Sequence, residues 1–256
     1  MQLPFTSQNL VLWFDPAEKL VNKSTANKVY GVVDKIGNRS ISQPIEAYKP
    51  SFDATVMNGR PGITFDGGQF LSADFAGQYF NDGYSSFAVT CAVKLAPGSF
   101  ITNTYSSLFC FGDTTSTKLV VADIVKVAGL DYFSGQRYDG VGDVFTAGVT
   151  LNGNDGAGSV ELSYDYSKVA IVTLVVDSLG STVKINVNGT QSSAVGTMGR
   201  ISTLDKLSIG AVPDLATGIL GAGNLTGSMG QMIVYKATSI SPDVETYMKN
   251  YYGVTY

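Results

Sequence analysis

The sequence predicts an all-β, two-sheet sandwich or jelly roll closed by one short helix. Three observations lead there. Short alternating or β-branched runs recur along the chain, each bounded by Gly, Pro, Asn or Asp. No helical periodicity alternates with them, which removes βαβ architectures. Composition points the same way: among 256 residues there are 29 Gly and 11% aromatics but only 15% charged residues, against roughly 25% charged in an average globular chain. Such a chain supplies many turns and a surface of Ser, Thr and Asn. No repeat, linker or composition break interrupts it, so one domain over 1–256 is expected.

Taken in order, Asn9 to Phe14 is an apolar opening strand that carries the only tryptophan, Trp13, and Asp15-Pro16 stops it. Lys19 to Tyr48 is irregular and polar, with Val29 to Val33 a short strand. Pro50 to Gly62 reads as a loop, Gly62 to Phe65 as a strand broken by Asp66-Gly67-Gly68, and Gln69 to Ala73 as another short strand. Phe87 to Leu95 alternates cleanly, with Phe87, Val89, Cys91, Val93 and Leu95 on one face. Ser107 to Phe111 and the β-branched Lys118 to Val127 continue the series. Val160 to Tyr166 places Val160, Leu162, Tyr164 and Tyr166 together.

The most regular stretch is Ile171 to Thr190. A dense β-branched run to Val176 is followed by Val183, Ile185 and Val187 alternating with Lys184, Asn186 and Asn188. The spacing predicts an antiparallel hairpin in the middle of a sheet, and Asn188-Gly189 supplies a tight turn beyond it. Lys206 to Gly210 and Ser228 to Tyr235 complete the strands. In the closing helix Ser241 is the N-cap, Pro242 fits the first position, and Asp243 and Glu245 suit the positive end. Val244, Tyr247, Met248 and Tyr251 form one buried stripe, and Gly253 ends it.

Composition also excludes. The chain has no histidine, which removes Ser-His-Asp and Cys-His catalysis, histidine zinc sites and a histidine pH switch. Net charge is −4 without a basic cluster, so no nucleic-acid partner is expected. The N-terminus lacks the features of a secretion leader, and nothing is long and apolar enough to insert in a membrane. Cys91 and Cys110 could bridge if their strands were neighbours; the favoured reading is two buried free thiols acting as small apolar side chains.

Several ordered blocks resemble LamG-like, concanavalin A-like jelly rolls of phage virion and bacterial surface proteins. Leu10 to Asp15 is similar to their opening strand, and Val33-Asp-Lys-Ile-Gly-Asn38 to the turn that follows. Lys49-Pro50, Asn58 to Gly67 and Leu71 match a further stretch. Gly227 to Tyr235, Ser241, Glu245 and Tyr251-Tyr-Gly253 match the end, with Gln231 where Glu is usual. The resemblance implies a concanavalin A-like (LamG-like) antiparallel β-sandwich jelly roll with a short C-terminal helix, whose first and last strands meet. Its members bind carbohydrates or proteins, sometimes through calcium.

The function expected is therefore a non-enzymatic phage virion surface protein, in a fibre, a capsid decoration or a receptor-binding device, with lectin-like binding. Its partners would be other virion proteins, further copies of itself and a host-surface glycan. It would be made in the host cytoplasm. A purely structural virion subunit and a glycan-cleaving jelly-roll enzyme are the alternatives. The proposed binding surface is Tyr132, Gln136, Arg137, Tyr138 and Asp139: aromatic faces stack on sugar rings while Gln, Arg and Asp direct hydrogen bonds. The competing reading places Tyr132, Phe133 and Tyr138 in a core or interface. Cleavage would need paired carboxylates, and the nearest pair, Glu161 and Asp165, reads as two solvated acids. Gln136-Arg137-Tyr138 has residue types of a polysaccharide lyase, but strand neighbours point to opposite faces. No cofactor is expected. Calcium has only Asp113 and the loop Asn152 to Gly156 to recommend it, and that loop reads better as a hairpin turn.

Overall fold

A computed structural model describes residues 9–36, 39–74, 86–96, 98–99, 105–112, 119–127, 130–138, 144–151, 160–177, 180, 182–192, 204, 206–212 and 224–256. Two sheets lie face to face. Across the eight-stranded sheet, with strands numbered in chain order, run β16 (Thr190–Gln191), β15 (Thr182–Val187), β14 (Ala170–Asp177), β8 (Phe87–Leu95), β18 (Thr226–Lys236), β6 (Arg60–Asp66) and β5 (Ser51–Met57). The remaining strand, β1 (Leu10–Phe14), also lies on β18. The ten-stranded sheet runs β13 (Val160–Leu162), β12 (Val144–Leu151), β11 (Leu130–Tyr138), β10 (Leu119–Val127), β9 (Ser106–Gly112), β17 (Lys206–Ile209), β7 (Leu71–Asp74), β4 (Ser40–Ser42), β3 (Val29–Val33) and β2 (Val21–Lys23). This is an antiparallel jelly-roll sandwich, with one exception among the described strands, the parallel pairing of β12 with β13.

The first and last strands meet as expected, with Leu10 opposite Tyr235 and Phe14 opposite Met232. One flank of β18 is divided: Thr226 to Met229 pair with β6, Met232 to Tyr235 with β1. On its other flank β18 pairs with β8 along most of its length. Between the sheets, Phe65, Phe87, Val89, Phe109, Phe111, Ile124, Phe133, Leu174, Ile185 and Val234 belong to one continuous apolar core. Alternation accounts for it: along β15, Val183, Ile185 and Val187 are all fully buried.

The helix α1 (Pro242–Tyr252) forms as its caps dictate. The Ser241 hydroxyl accepts from the Val244 N–H at 3.5 Å, and Gly253 takes the left-handed conformation at φ 63°. It covers the outer face of the eight-stranded sheet, where Val244, Met248 and Tyr252 pack with Trp13, Ile171, Val175, Ile233 and Tyr235. Each such buried side chain contributes about 2 kcal/mol of apolar transfer. A polar knot fixes the contact. A break in the β18–β8 register between Met229 and Met232 spans Gln231, whose N–H donates to the Tyr252 hydroxyl at 2.6 Å; the Trp13 indole donates to the Gln231 side-chain oxygen at 3.3 Å.

Five expectations need correction. Pro50 to Gly62 is not a loop: β5 and β6 pair through a turn at Asn58-Gly59, both with positive φ (53° and 77°). β5 is an edge strand with exposed Asp53-Ala54-Thr55, so it lacks the apolar alternation that announces a strand. The β14–β15 hairpin lies toward one edge of its sheet, with only the two-residue β16 beyond it; its Asn188-Gly189 turn has the expected positive φ values, 49° and 82°. The strand at Val160 stops at Leu162, leaving Tyr164 and Tyr166 outside it. Asn152 to Gly156 lies outside the described residues, but the strands on either side of it pair parallel, not as a hairpin. The helix buries Tyr252 fully, while Tyr247 and Tyr251 are half-buried. The two cysteines are free and buried, and they lie in opposite sheets; burial pushes both thiols up.

Candidate ligand-binding face

The predicted surface falls on β11, inside the ten-stranded sheet. Odd positions of this strand face the sandwich core, as Phe133 shows, and a Cβ on Gly135 would stand 2.3 Å from Leu174 Cδ1. Even positions therefore face outward. Tyr132, Ser134 and Gln136 share that outer face, and the register puts Tyr138 at the same parity and Arg137 at the opposite one. Asp139 lies outside the described residues, as do the side chains of Arg137 and Tyr138.

Neighbouring strands extend the face in rows. Tyr132 lies opposite Val125 and Thr150, and Thr150 opposite Glu161. Ser134 lies opposite Asp123 on one side and Gly148 on the other; Gln136 lies opposite Val121, which lies opposite Cys110. Glycine at position 148 leaves the space over the strand to the Tyr132 ring, whose Cδ1 would be 3.7 Å from a Cβ there.

Asp123 is the residue that sequence reasoning missed. It is 3% exposed, a lone acid in a β-branched strand between Val121 and Val125. The Ser107 hydroxyl donates to its carboxylate at 2.5 Å. A bulge makes that contact: Ala122 pairs with Phe109 but Asp123 pairs with Ser107, so Leu108 is skipped and the parity of β9 switches. Without the extra residue Ser107 would face the core. Burial raises the Asp123 pKa to about 7, and the Ser107 hydrogen bond opposes the rise. Ser134 Oγ, buried on the adjacent strand, has no hydrogen-bond partner among the described residues. The available signal was an acid two residues from a valine on either side, a polar group where a strand's apolar face would be.

Asp123, Ser134 and Gln136 are all buried, so they form a polar layer beneath the half-buried ring of Tyr132. Glu161 is exposed at its margin. Asp165 is exposed too, lies beyond the strand, and is held below the ordinary carboxylate range by the Ser167 hydroxyl and N–H. Asp131 is at a core-side position at the rim, where it meets Lys126 at 3.2 Å and the Tyr166 hydroxyl at 2.5 Å. No group of three or more metal-ligating side chains occurs among the described residues; Asp113 lies outside them.

No family model and no curated protein matches the sequence. Solved structures do match in fold. Domain 4 of AbnA, an extracellular arabinanase of Geobacillus stearothermophilus in complex with arabinotriose, is 13% identical with a TM-score of 0.58 over 93% of this chain and 97% of that one. The binding domain of Paraclostridial Mosquitocidal Protein 1 is 12% identical with a TM-score of 0.60, over 96% of this chain and 53% of that one. An arabinofuranosidase complexed with arabinofuranosyl-alpha-1,2-xylobiose is 11% identical at 0.55, over 98% and 60%. At these identities the likeness is one of fold.

Proposed function

We propose that this protein is a non-enzymatic, glycan-binding jelly-roll module of a phage virion surface, acting in a fibre, a decoration or a receptor-binding device. The observation that carries the binding is the outer face of the ten-stranded sheet. It sets the half-buried Tyr132 ring over a buried layer of a carboxyl, hydroxyls and an amide on adjacent strands, where a face built only for packing would be apolar. Tyr132 and Gln136 contribute to it. Two of the similar structures hold arabinose-containing ligands, which supports saccharide as the ligand class. The virion setting is supported by the LamG-like blocks and a surface poor in charge, suited to contacts with further copies and other virion proteins.

The non-enzymatic reading is supported by spacing: among the described residues of this face, the acids Asp123 and Glu161 lie three strands apart, about 14 Å at the usual inter-strand spacing, whereas glycosidase carboxyls stand roughly 5–9.5 Å apart.

The test is glycan-array binding of the wild type and of Tyr132→Ala, with quantitative mass spectrometry of purified particles from the source. Binding that drops at least tenfold in Tyr132→Ala, with the protein present in particles, is expected. Undiminished binding removes the surface, and absence from particles removes the virion setting. Release of reducing ends from host polysaccharide would establish an enzyme instead.

A further inference from the structure

A second surface, on the opposite side of the sandwich, has its own reason to take a sugar. We propose that α1 carries a neutral-saccharide site built on Tyr247 and Tyr251, independent of the β11 face. Asp243, Thr246, Tyr247, Asn250 and Tyr251 line an open cleft of about 410 Å3. Their spacing of three, four, seven and eight residues puts them on one side of the helix. From Asp243 to Asn250 the stripe is about 10 Å long at 1.5 Å per residue, the scale of a short oligosaccharide.

The two rings are held as a platform. Their centroids are 5.9 Å apart and their planes 33° from parallel. Trp13 sets its ring edge-on to Tyr247 at 5.6 Å. The Arg60 guanidinium lies 4.7 Å from the centre of the Tyr251 ring and its Nε donates to the Tyr251 carbonyl at 3.2 Å. Burial, opposed by the Gln231 side chain, raises the Tyr247 hydroxyl pKa to about 12. The ring of Tyr247 is half-buried and lines the cleft. Rings already fixed lose little freedom when a ligand stacks on them.

Around the rings stand exposed groups suited to hydroxyls: the Asp243 carboxylate accepts, the Thr246 hydroxyl does both, and the Asn250 amide does both. Asp243 and Arg60 set one charge of each sign beside the rings, so the surroundings carry no net charge, which suits neutral sugars better than uronates and sialates. Stacked C–H faces on Tyr247 and hydroxyls on Asp243 and Asn250 make the site amphipathic in the way a sugar is.

Trp13 makes the site readable, because it is the only tryptophan and touches Tyr247. Titration with maltotriose, cellotriose and arabinotriose should change its emission for at least one of the three, and should shift the backbone amide resonances of Thr246, Tyr247, Asn250 and Tyr251. Asn250→Ala and Asp243→Ala, both at exposed positions, should weaken that response at least threefold. Tyr247→Phe, which keeps the ring, should retain it, and Tyr132→Ala should leave it unchanged. Shifts confined to β10–β12 would overturn this inference and leave the β11 face standing. Shifts on α1 that the two exposed variants do not weaken would overturn it as well, as would no response to any of the three sugars.

Discussion

The two outer faces of the sandwich are covered by different chemistry. On the eight-stranded sheet most outward residues beneath the helix are apolar, the buried hydroxyls of Thr90 and Thr173 pair with each other at 2.9 Å, and the helix seals the face through Val244, Met248 and Tyr252. On the ten-stranded sheet the outward residues of β9 to β11 include Ser107, Asp123, Ser134 and Gln136, all buried. Stability on the first face comes from shape and apolar area, which are indifferent to pH. On the second, a carboxyl must be kept neutral or hydrogen-bonded. The helix side meets most of its sheet with apolar contact. A buried polar face has hydrogen-bonding capacity left over, as the Ser134 hydroxyl shows.

The largest effect should come from unsealing the helix side. Tyr252→Ala removes a fully buried ring and orphans the Gln231 N–H, for a loss of about 5 kcal/mol in urea unfolding. A loss below about 2 kcal/mol would mean the helix is an ornament and the contrast fails. The polar side should reveal itself through pH. The Asp123 pKa is raised from 3.8 to about 7 on folding, so the native state holds a proton that the unfolded chain has released. Its contribution is fully present below about pH 4 and is lost as pH rises through 7. At about 1.4 kcal/mol per pH unit this amounts to roughly 4 kcal/mol. Asp123→Asn should flatten this slope between pH 4 and 7 in chemical-denaturation series, while Tyr252→Ala should leave it intact. A wild-type profile without that slope would show Asp123 to be ionised and solvated.

Between the faces, Gly135→Ala tests the layer they share. The added methyl meets Leu174 in a filled core, and a destabilisation of about 2 kcal/mol by thermal or urea unfolding is expected; an unchanged midpoint would show slack beneath β11. The smallest effect belongs to the helix cap. Ser241→Ala should cost about 0.5–1 kcal/mol, at the low end because the capping bond is long. A cost above 2 kcal/mol would show that the helix side depends on its cap more than on its buried stripe.

The helix side was the legible one. Its caps, the stripe at Val244 and Met248, and strands such as Phe87 to Leu95 express local periodicities that one sequence displays. The polar face was legible only in part. Tyr132 and Gln136 stood out as residue types, but Asp123 did not, because its importance depends on which strands flank it. The parity switch at Leu108 that brings Ser107 to Asp123 is not written in any alternation; it exists only in the pairing of β9 with β10. Ser51 to Met57 was hidden for a related reason. An edge strand with few inward residues needs its partner to be recognised, although Asn58-Gly59 carried the same turn signal that identified Asn188-Gly189.

The divided flank of β18 has a consequence for how the chain reaches its native state. β18 is the seam of the eight-stranded sheet: β8, β14 and β15 join it on one side, β6 and β1 on the other. Before Thr226 to Lys236 insert, those strands form three separate pieces, β8 with β14 and β15, β6 with β5, and β1, with no ladder of this sheet between them. The seam is contributed by residues more than two hundred positions from β1, so closing it requires loop closure over nearly the whole chain. Folding should accordingly be slow, with high contact order and a late, all-or-none step. A ribosome-bound chain halted before Thr226 would expose the unpaired edges of β8 and β6, and would need a chaperone or a short wait before the seam arrives.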